Sequence, residues 1–201
     1  MNTNNTFLCL HRYTKALSVA LGYRDNMTRM HSDRVVALSL AMGEYCGLTG
    51  DELDTLRVAA AFHDIGKIGI PDAILLKPDQ HDSTERACMQ QHSEIGQQIL
   101  LATEMDGANL AAQVVRHHHE HFDGAGYPDE LRGEQIPIAA RIIAITDSYD
   151  AMAVTRAYHV ARGHTLIIDT LQGESGTKHD PELVRRFTGY IETSPLRTRL
   201  A

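Results

Sequence analysis

Apolar residues recur along this chain at helical spacing, and polar turn-formers interrupt them at regular intervals. Between His31 and Cys46, Val35, Leu38, Met42 and Tyr45 follow an i, i+3, i+7, i+10 stripe, which predicts an amphipathic helix stopped by Gly47. Thr49 and Glu52 stand at capping-box spacing and open a helix through Leu53, Leu56, Ala60 and His63. Ser83 or Thr84 starts the next, with Met89, His92, Ile95 and Ile99 on one face. The pattern resumes from Leu110 through Val114 to His118, then after Pro137 through Ile138, Ile142, Ile145, Tyr149 and Met152. Asp180-Pro181 supplies an N-cap and a proline at N1 ahead of Leu183, Val184, Phe187 and Tyr190. β-signals are almost absent, and the short apolar run Thr165-Leu166-Ile167-Ile168 is read as helix too. The expectation is an all-α bundle without repeats, linker or second-domain seam. Roughly ten residues at the start and eight at the end are expected to fray.

Within these stripes sit polar residues that packing alone does not explain. His63 and His92 fall on apolar faces, which points them into the bundle. Two adjacent pairs, His63-Asp64 and His118-His119, are ready-made ligand clusters, because imidazole and carboxylate suit iron, manganese, zinc or nickel. Buried carboxylates and clustered imidazoles are costly without such partners. Around the pairs lie Lys67, His31, His92 and, on a later helix, Asp147. Helix bundles build metal sites from facing inner side chains, and the two oxygens of Asp64 can bridge two cations. In two-metal sites, ions ~3.5–4 Å apart turn a shared water into hydroxide near neutral pH and clamp a phosphoryl oxygen. No Ser-His-Asp arrangement competes for the role. The residues read as a dinuclear metal hydrolase.

Other histidines are read differently. His81-Asp82 lies in a polar connection off any apolar stripe and is taken as surface loop. His117 adjoins the histidine pair, but adjacent helical residues point ~100° apart, so three in a row cannot serve one centre. His117 is taken as the outsider and His121 as a rim residue.

Composition sharpens this picture only at its edges. Hydrophobic residues at 43% and charged residues at 22% are ordinary for a soluble globular domain. No run approaches the roughly 20 apolar residues of a bilayer span, and the first six residues lack the basic region of a secretory leader. Cys9, Cys46 and Cys88 stand in no metal or disulfide spacing, which predicts free thiols in a reducing cytoplasm. A formal charge of −7 argues against a nucleic-acid polymer as partner. It leaves room for an anionic small molecule, because two divalent ions would reverse the local field.

His63-Asp64-Ile65-Gly66-Lys67, His118-His119-Glu120 and Asp123-Gly124-Ala125-Gly126-Tyr127-Pro128 together resemble the signature of the HD-GYP family of bacterial phosphodiesterases. The likeness runs in family order through Lys67-Ile68-Gly69-Ile70-Pro71-Asp72, Leu76-Lys77-Pro78, Gly133-Glu134-Gln135-Ile136-Pro137 and Arg141-Ile142. It continues through Asp147-Ser148-Tyr149-Asp150-Ala151-Met152, Arg156-Ala157-Tyr158 and Gly176-Thr177-Lys178-His179-Asp180-Pro181. It implies an all-α HD-domain fold over residues 15–190, flanked by a segment 1–14 and a tail 191–201. The implied activity is metal-dependent hydrolysis of cyclic di-GMP to pGpG and GMP by a metal-activated hydroxide. The same chemistry on cyclic GMP-AMP, and a catalytically silent cyclic-dinucleotide receptor or interaction module, are the alternatives. A plain HD-type nucleotide phosphohydrolase would leave His92, His118, His119 and the Tyr127 loop unused.

The resemblance also implies a metal shell. His31, His63, Asp64 and Asp147 would hold one divalent ion; His92, His118 and His119, with Asp64 bridging, would hold the other. Iron or manganese leads, with nickel, zinc or magnesium as alternatives. Lys67 and Asp64 take the catalytic roles, Lys67 against a phosphate oxygen. Lys67, Asp150, Arg156 and His159 join Gly126, Tyr127 and Pro128 on the substrate side, Arg156 as a phosphate or guanine clamp. A diguanylate cyclase or a sensory or receiver module is the implied protein partner, and the oligomeric state stays open. The chain departs from the pattern in four places. Met27 stands where three-metal members carry a glutamate, with Asp25 nearby, so two ions are expected. His121-Phe122 replaces a basic-aromatic pair, His159 a lysine, and His179 an aromatic residue.

Overall fold

The computed structural model describes residues 19, 22, 26–154 and 161–198, with residues 26–29 as backbone alone. The described residues form helices α1 (Asn26–Tyr45), α2 (Asp51–Phe62), α3 (Asp72–Leu75), α4 (Ser83–Gln90) and α5 (His92–Leu101). After these come α6 (Ala108–His117), α7 (Ile138–Ala153), α8 (His164–Gly173) and α9 (Pro181–Ile191), with single 3-10 turns at Ile65–Gly69 and Gly133–Gln135. No strand occurs among them beyond a lone bridge between Ser175 and His179. No described helix is long and apolar enough to cross a membrane.

The apolar stripes meet in one core. Val35, Leu38 and Met42 of α1 are buried with Leu56 and Phe62 of α2 and Ile142, Ile143 and Ile145 of α7. Each such side chain stabilises the fold by roughly 1.5–3 kcal/mol. α1 packs on α2 and α7, α5 packs on α6 and the Ile65–Gly69 turn, and α9 closes the bundle against α1, α7 and α8. Phe187 of α9 meets Tyr149 of α7 edge to face, ring centres 5.2 Å apart. Asp180 caps α9, accepting from the backbone of Glu182 and Leu183 at 2.9 and 3.2 Å, and its other oxygen takes Arg141 at 2.6 Å.

The structure differs from the pattern in two places. The helix expected to run from Ser83 through Ile99 is two helices that part at Gln91. Asp82 caps the first in a complete capping box with Glu85. At the break the His92 ring takes the Met89 carbonyl, an acceptor that a continuous helix would use for its own backbone. At the C-terminal end, Ser194–Thr198 does not fray. Thr198 N donates to Tyr149 Oη at 3.0 Å and Ser194 Oγ to Tyr190 Oη at 2.9 Å, which folds the segment back onto α7 and α9. The fraying expected of the first residues lies outside those described.

Candidate metal centre

Helix ends supply the centre. His63 follows the last residue of α2, His118 follows the last of α6, and His92 opens α5 just past the end of α4. A helix leaves its final carbonyls without intrahelical partners. Each of these rings fills one: Nδ1 of His63 donates to Ala60 O at 2.8 Å, of His92 to Met89 O at 2.7 Å, and of His118 to Val115 O at 2.6 Å. A neutral imidazole that donates through Nδ1 carries a bare lone pair on Nε2. One local device, a histidine three residues beyond a terminal carbonyl, therefore aims three lone pairs off three helix ends.

Those lone pairs meet. His92 Nε2 and His118 Nε2 face each other at 3.4 Å, two acceptors with no proton to share. His63 Nε2 is buried without a hydrogen-bond partner. The His119 ring lies 5.0 Å from that of His92 and 3.9 Å from that of His118. Burial, with His92 and His63 adding to it, pushes the pKa of His118 down to about 3. Burial also lowers those of His92 and His119. Neutral imidazoles converging in this way are the donor set of a divalent cation.

A charged cluster adjoins this one. Asp64 is buried between the two, its Oδ2 3.5 Å from His63 Nε2 and its Oδ1 3.7 Å from His92 Nε2, so one oxygen faces each side. Burial opposes its ionisation, but the Lys67 ammonium, whose Nζ donates to Oδ2 at 2.7 Å, holds the carboxyl well below its usual range. His31 of α1 stands between two carboxylates, Nε2 2.9 Å from Asp147 Oδ1 and Nδ1 2.6 Å from Asp150 Oδ2. Burial works against its charge, yet hydrogen bonds to Asp147 and Asp150 push its pKa up to about 9. The proton between His31 and Asp147 sits where a cation would compete for the same lone pairs. Ligand atoms of His31, His63 and Asp64 lie within 4.8 Å of one another, as do those of His92, His118 and His119.

The predicted shell is thus drawn together from α1, α2, α5, α6 and α7, with Asp147 attached through His31. Gly66 lets the parts touch: a Cβ there would lie 1.8 Å from His92 O, so only glycine seats the Asp64–Lys67 turn against the start of α5. Two further residues join that the sequence reading did not assign to these roles. Asp150, expected among the substrate contacts, is buried; Arg34 grips it through Nε at 2.6 Å and Nη2 at 2.9 Å while it orients His31. Arg34 stands three residues after His31 on the same face of α1, and that spacing was the available signal. A third group, His117, Glu120 and Asp129, also lies within 4.8 Å. Its atoms are already spent, since Asp129 binds Arg116 and His117 while Glu120 accepts from the backbone of Asp129 and Leu131. His117 stays outside the centre, as its position in the triplet predicts.

The Gly126-Tyr127-Pro128 lip leans over this site, its Tyr127–Pro128 bond cis. Phe122 N and Asp123 N donate to Lys178 O and Thr177 O at 3.2 and 2.9 Å, and Lys178 Nζ reaches Ser148 Oγ at 3.2 Å. Motifs far apart in sequence therefore gather at one end of the bundle. His179 is buried there with neither ring nitrogen hydrogen-bonded; Glu174 Oε2 lies 3.2 Å from Nε2 but off its donor direction. Burial pushes its pKa down to about 3. His81 Nε2 donates to the Ile74 carbonyl at 2.8 Å in a surface turn and takes no part in the site. Arg156, His159 and Asp25 lie outside the described residues, as does the side chain of Met27.

A helical bundle that seats a His-Asp pair and outlying histidines at converging helix ends has the architecture of an HD-domain protein, and the HD-domain family matches residues 15–183. The HD domain of the Listeria monocytogenes phosphodiesterase PgpH, solved in complex with cyclic-di-AMP, superposes with a TM-score of 0.64 at 18% identity, over 87% of this chain and 92% of that one. A "Cyclic di-GMP phosphodiesterase" of Thermotoga maritima is 38% identical over 178 residues, 89% of this chain and 48% of that protein. The "3'3'-cGAMP-specific phosphodiesterase 2" of Vibrio cholerae is 37% identical over 168 residues, 84% of this chain and 32% of its own length. The chain spans about half the length, or less, of these curated relatives. It belongs to the HD-domain family and, within it, to the HD-GYP group.

Proposed function

We propose that this chain hydrolyses a 3′,5′-cyclic dinucleotide, with cyclic di-GMP as substrate and pGpG, then GMP, as products. The observation that carries the reading is the pair of ligand clusters joined by the Asp64 carboxylate. His31, His63, Asp64 and Asp147 would hold one divalent ion, and His92, His118, His119 and the other oxygen of Asp64 a second. Iron or manganese suits this mixed imidazole and carboxylate set. Two such ions, when bound, supply a water-derived nucleophile at neutral pH and neutralise charge on a phosphoryl oxygen. The chain's own residues do the rest. Lys67, partly exposed beside Asp64, is placed to contact a phosphate oxygen of the substrate. The lip at Gly126, Tyr127 and Pro128 borders the substrate and limits water entry from that side. Arg156 and His159 complete the substrate contacts in this reading. Cys46 and Cys88 are unpaired, which supports a cytoplasmic setting.

A second reading, cyclic GMP-AMP as the preferred substrate, is favoured by the Vibrio cholerae relative. Manganese-loaded or anaerobically iron-loaded protein, incubated with each dinucleotide and resolved by product chromatography, separates the readings. Release of pGpG from cyclic di-GMP supports the first, and much faster turnover of cyclic GMP-AMP moves the substrate within the same class. Binding without product over hours would make the chain a silent receptor. Lys67→Ala should lower kcat by roughly 10²-fold, the size of losing one preorganised donor, with both ions retained. An unchanged kcat removes Lys67 from the chemistry.

A further inference from the structure

His119 is the exception among the clustered histidines. His63, His92 and His118 are each anchored through Nδ1 to a carbonyl three residues back, and His31 is anchored to Asp150. His118 already uses the end of α6, and among the described residues no hydrogen bond fixes the ring that follows it. What lies against that ring is Tyr127: the two stack with centres 4.9 Å apart and planes 29° from parallel. We propose that Tyr127 is a positioning residue for His119. Its aromatic face holds the one ring that helix-end geometry leaves unanchored, and so sets the affinity of the His92, His118, His119 cluster for a divalent ion. The inference rests on reading the two clusters as a metal centre.

The loop is built to keep Tyr127 there. Tyr127 N donates to His119 O at 3.2 Å, so the tyrosine is tied to the residue it would orient. Glu120, 2% exposed, accepts from Asp129 N at 2.7 Å and Leu131 N at 3.1 Å, which pins the far side of the loop beneath the histidine pair. The Asp123 carboxylate accepts from Ala125 N at 2.9 Å on the near side. Gly126 lets the turn close: a Cβ would lie 2.2 Å from His121 N and 2.6 Å from Glu120 Cα, and backbone atoms cannot yield that far. Among the described residues the Tyr127 hydroxyl has no hydrogen bond, so the geometry uses the ring and not the oxygen. A side chain that orients a ligand without touching the metal typically changes affinity by about 10–100-fold when removed.

Calorimetric titration of the chelator-stripped full chain with Mn²⁺ tests this, using wild type, Tyr127→Phe, Tyr127→Leu and Gly126→Ala. The wild type should take up two ions. Tyr127→Leu should bind its second ion about 10-fold or more weakly while binding the first as wild type does, and that retention reports an intact fold. Gly126→Ala should reproduce the selective loss by displacing the loop with the ring still present. Tyr127→Phe should match wild type, and the visible absorption of the Co²⁺-loaded protein should shift in Tyr127→Leu but not in Tyr127→Phe. Two unweakened ions in Tyr127→Leu, equal loss of both ions, or a Phe variant as weak as the Leu variant overturns the inference. A wild type that binds fewer than two ions overturns the metal-centre reading itself, which is a separate outcome.

Discussion

The two clusters of the candidate centre lie side by side yet are held in opposite charge states. Around His31, two carboxylates keep the ring protonated, with a pKa of about 9. Around His118, burial among other imidazoles keeps the ring neutral, with a pKa of about 3. The first is fixed by ionic hydrogen bonds to Asp147 and Asp150, the second by carbonyls at helix ends. The difference teaches how a bundle prepares for metal. Where carboxylates gather, a proton stands in for the cation; where imidazoles gather, lone pairs are left bare and the cluster waits. The two are linked by one residue, Asp64, with an oxygen toward each.

The largest effect should come from breaking that link. Asp64→Asn keeps the shape but removes the charge that both sides share, so both clusters should weaken together. Elemental analysis of the purified variant is expected to give well under one ion per chain, against about two in the wild type. Full occupancy would place the bridge elsewhere and dissolve the comparison.

A smaller and one-sided effect is expected at Asp150. Asp150→Asn weakens the hydrogen bond that holds His31 and leaves Arg34 without its carboxylate. The affinity of the charged cluster should fall about 10–100-fold, as for other residues that orient a ligand, while the imidazole cluster is unaffected. Calorimetry with Mn²⁺ reads the two events separately. Equal loss at both would mean that the clusters do not act as distinct sites.

A pH dependence of opposite sign on the two sides should also be visible in chelator-stripped protein. An unfolded histidine titrates near 6.5. His118, with its folded pKa near 3, binds a proton only in the unfolded chain between those values, so stability falls as pH drops from about 6.5 toward 3. His31, with its folded pKa near 9, binds a proton only in the folded chain between 6.5 and 9. Its contribution is complete below 6.5 and is lost as pH rises through 9. Each limb should slope by at most ~1.4 kcal/mol per pH unit per proton. Urea unfolding across pH should show the acid limb flattened in His118→Phe and the alkaline limb flattened in His31→Phe. The same limb flattened in both variants would contradict the opposed charge states.

The candidate ligands were legible in the sequence because their signal is local in kind. His63-Asp64 and His118-His119 are adjacent, and His92 falls on an apolar stripe where an unpartnered imidazole has no packing reason to be. The helices around them were legible for the same reason, since the 3.6-residue period of buried positions writes itself into the chain. Even Thr165–Ile168, short and β-branched at its start, lies in helix α8 as its surroundings imply. Other features could not be read this way. The break at Gln91 depends on a ring claiming a carbonyl, and the service of Asp150 to His31 joins residues 119 positions apart. The order of Ser194–Thr198 likewise needs Tyr149 in place beneath it.

By itself, then, the sequence determined which side chains form the candidate centre and which helices present them, because residue type and periodicity are properties of the chain. The tertiary structure decided how those side chains are used. It set which nitrogens of His63, His92 and His118 are bare, which carboxylate is tied to Arg34, and which histidine is left for Tyr127 to hold. Those choices turn on hydrogen-bond distances of about 3 Å between distant segments, and only packing of the whole bundle brings such groups within reach of one another.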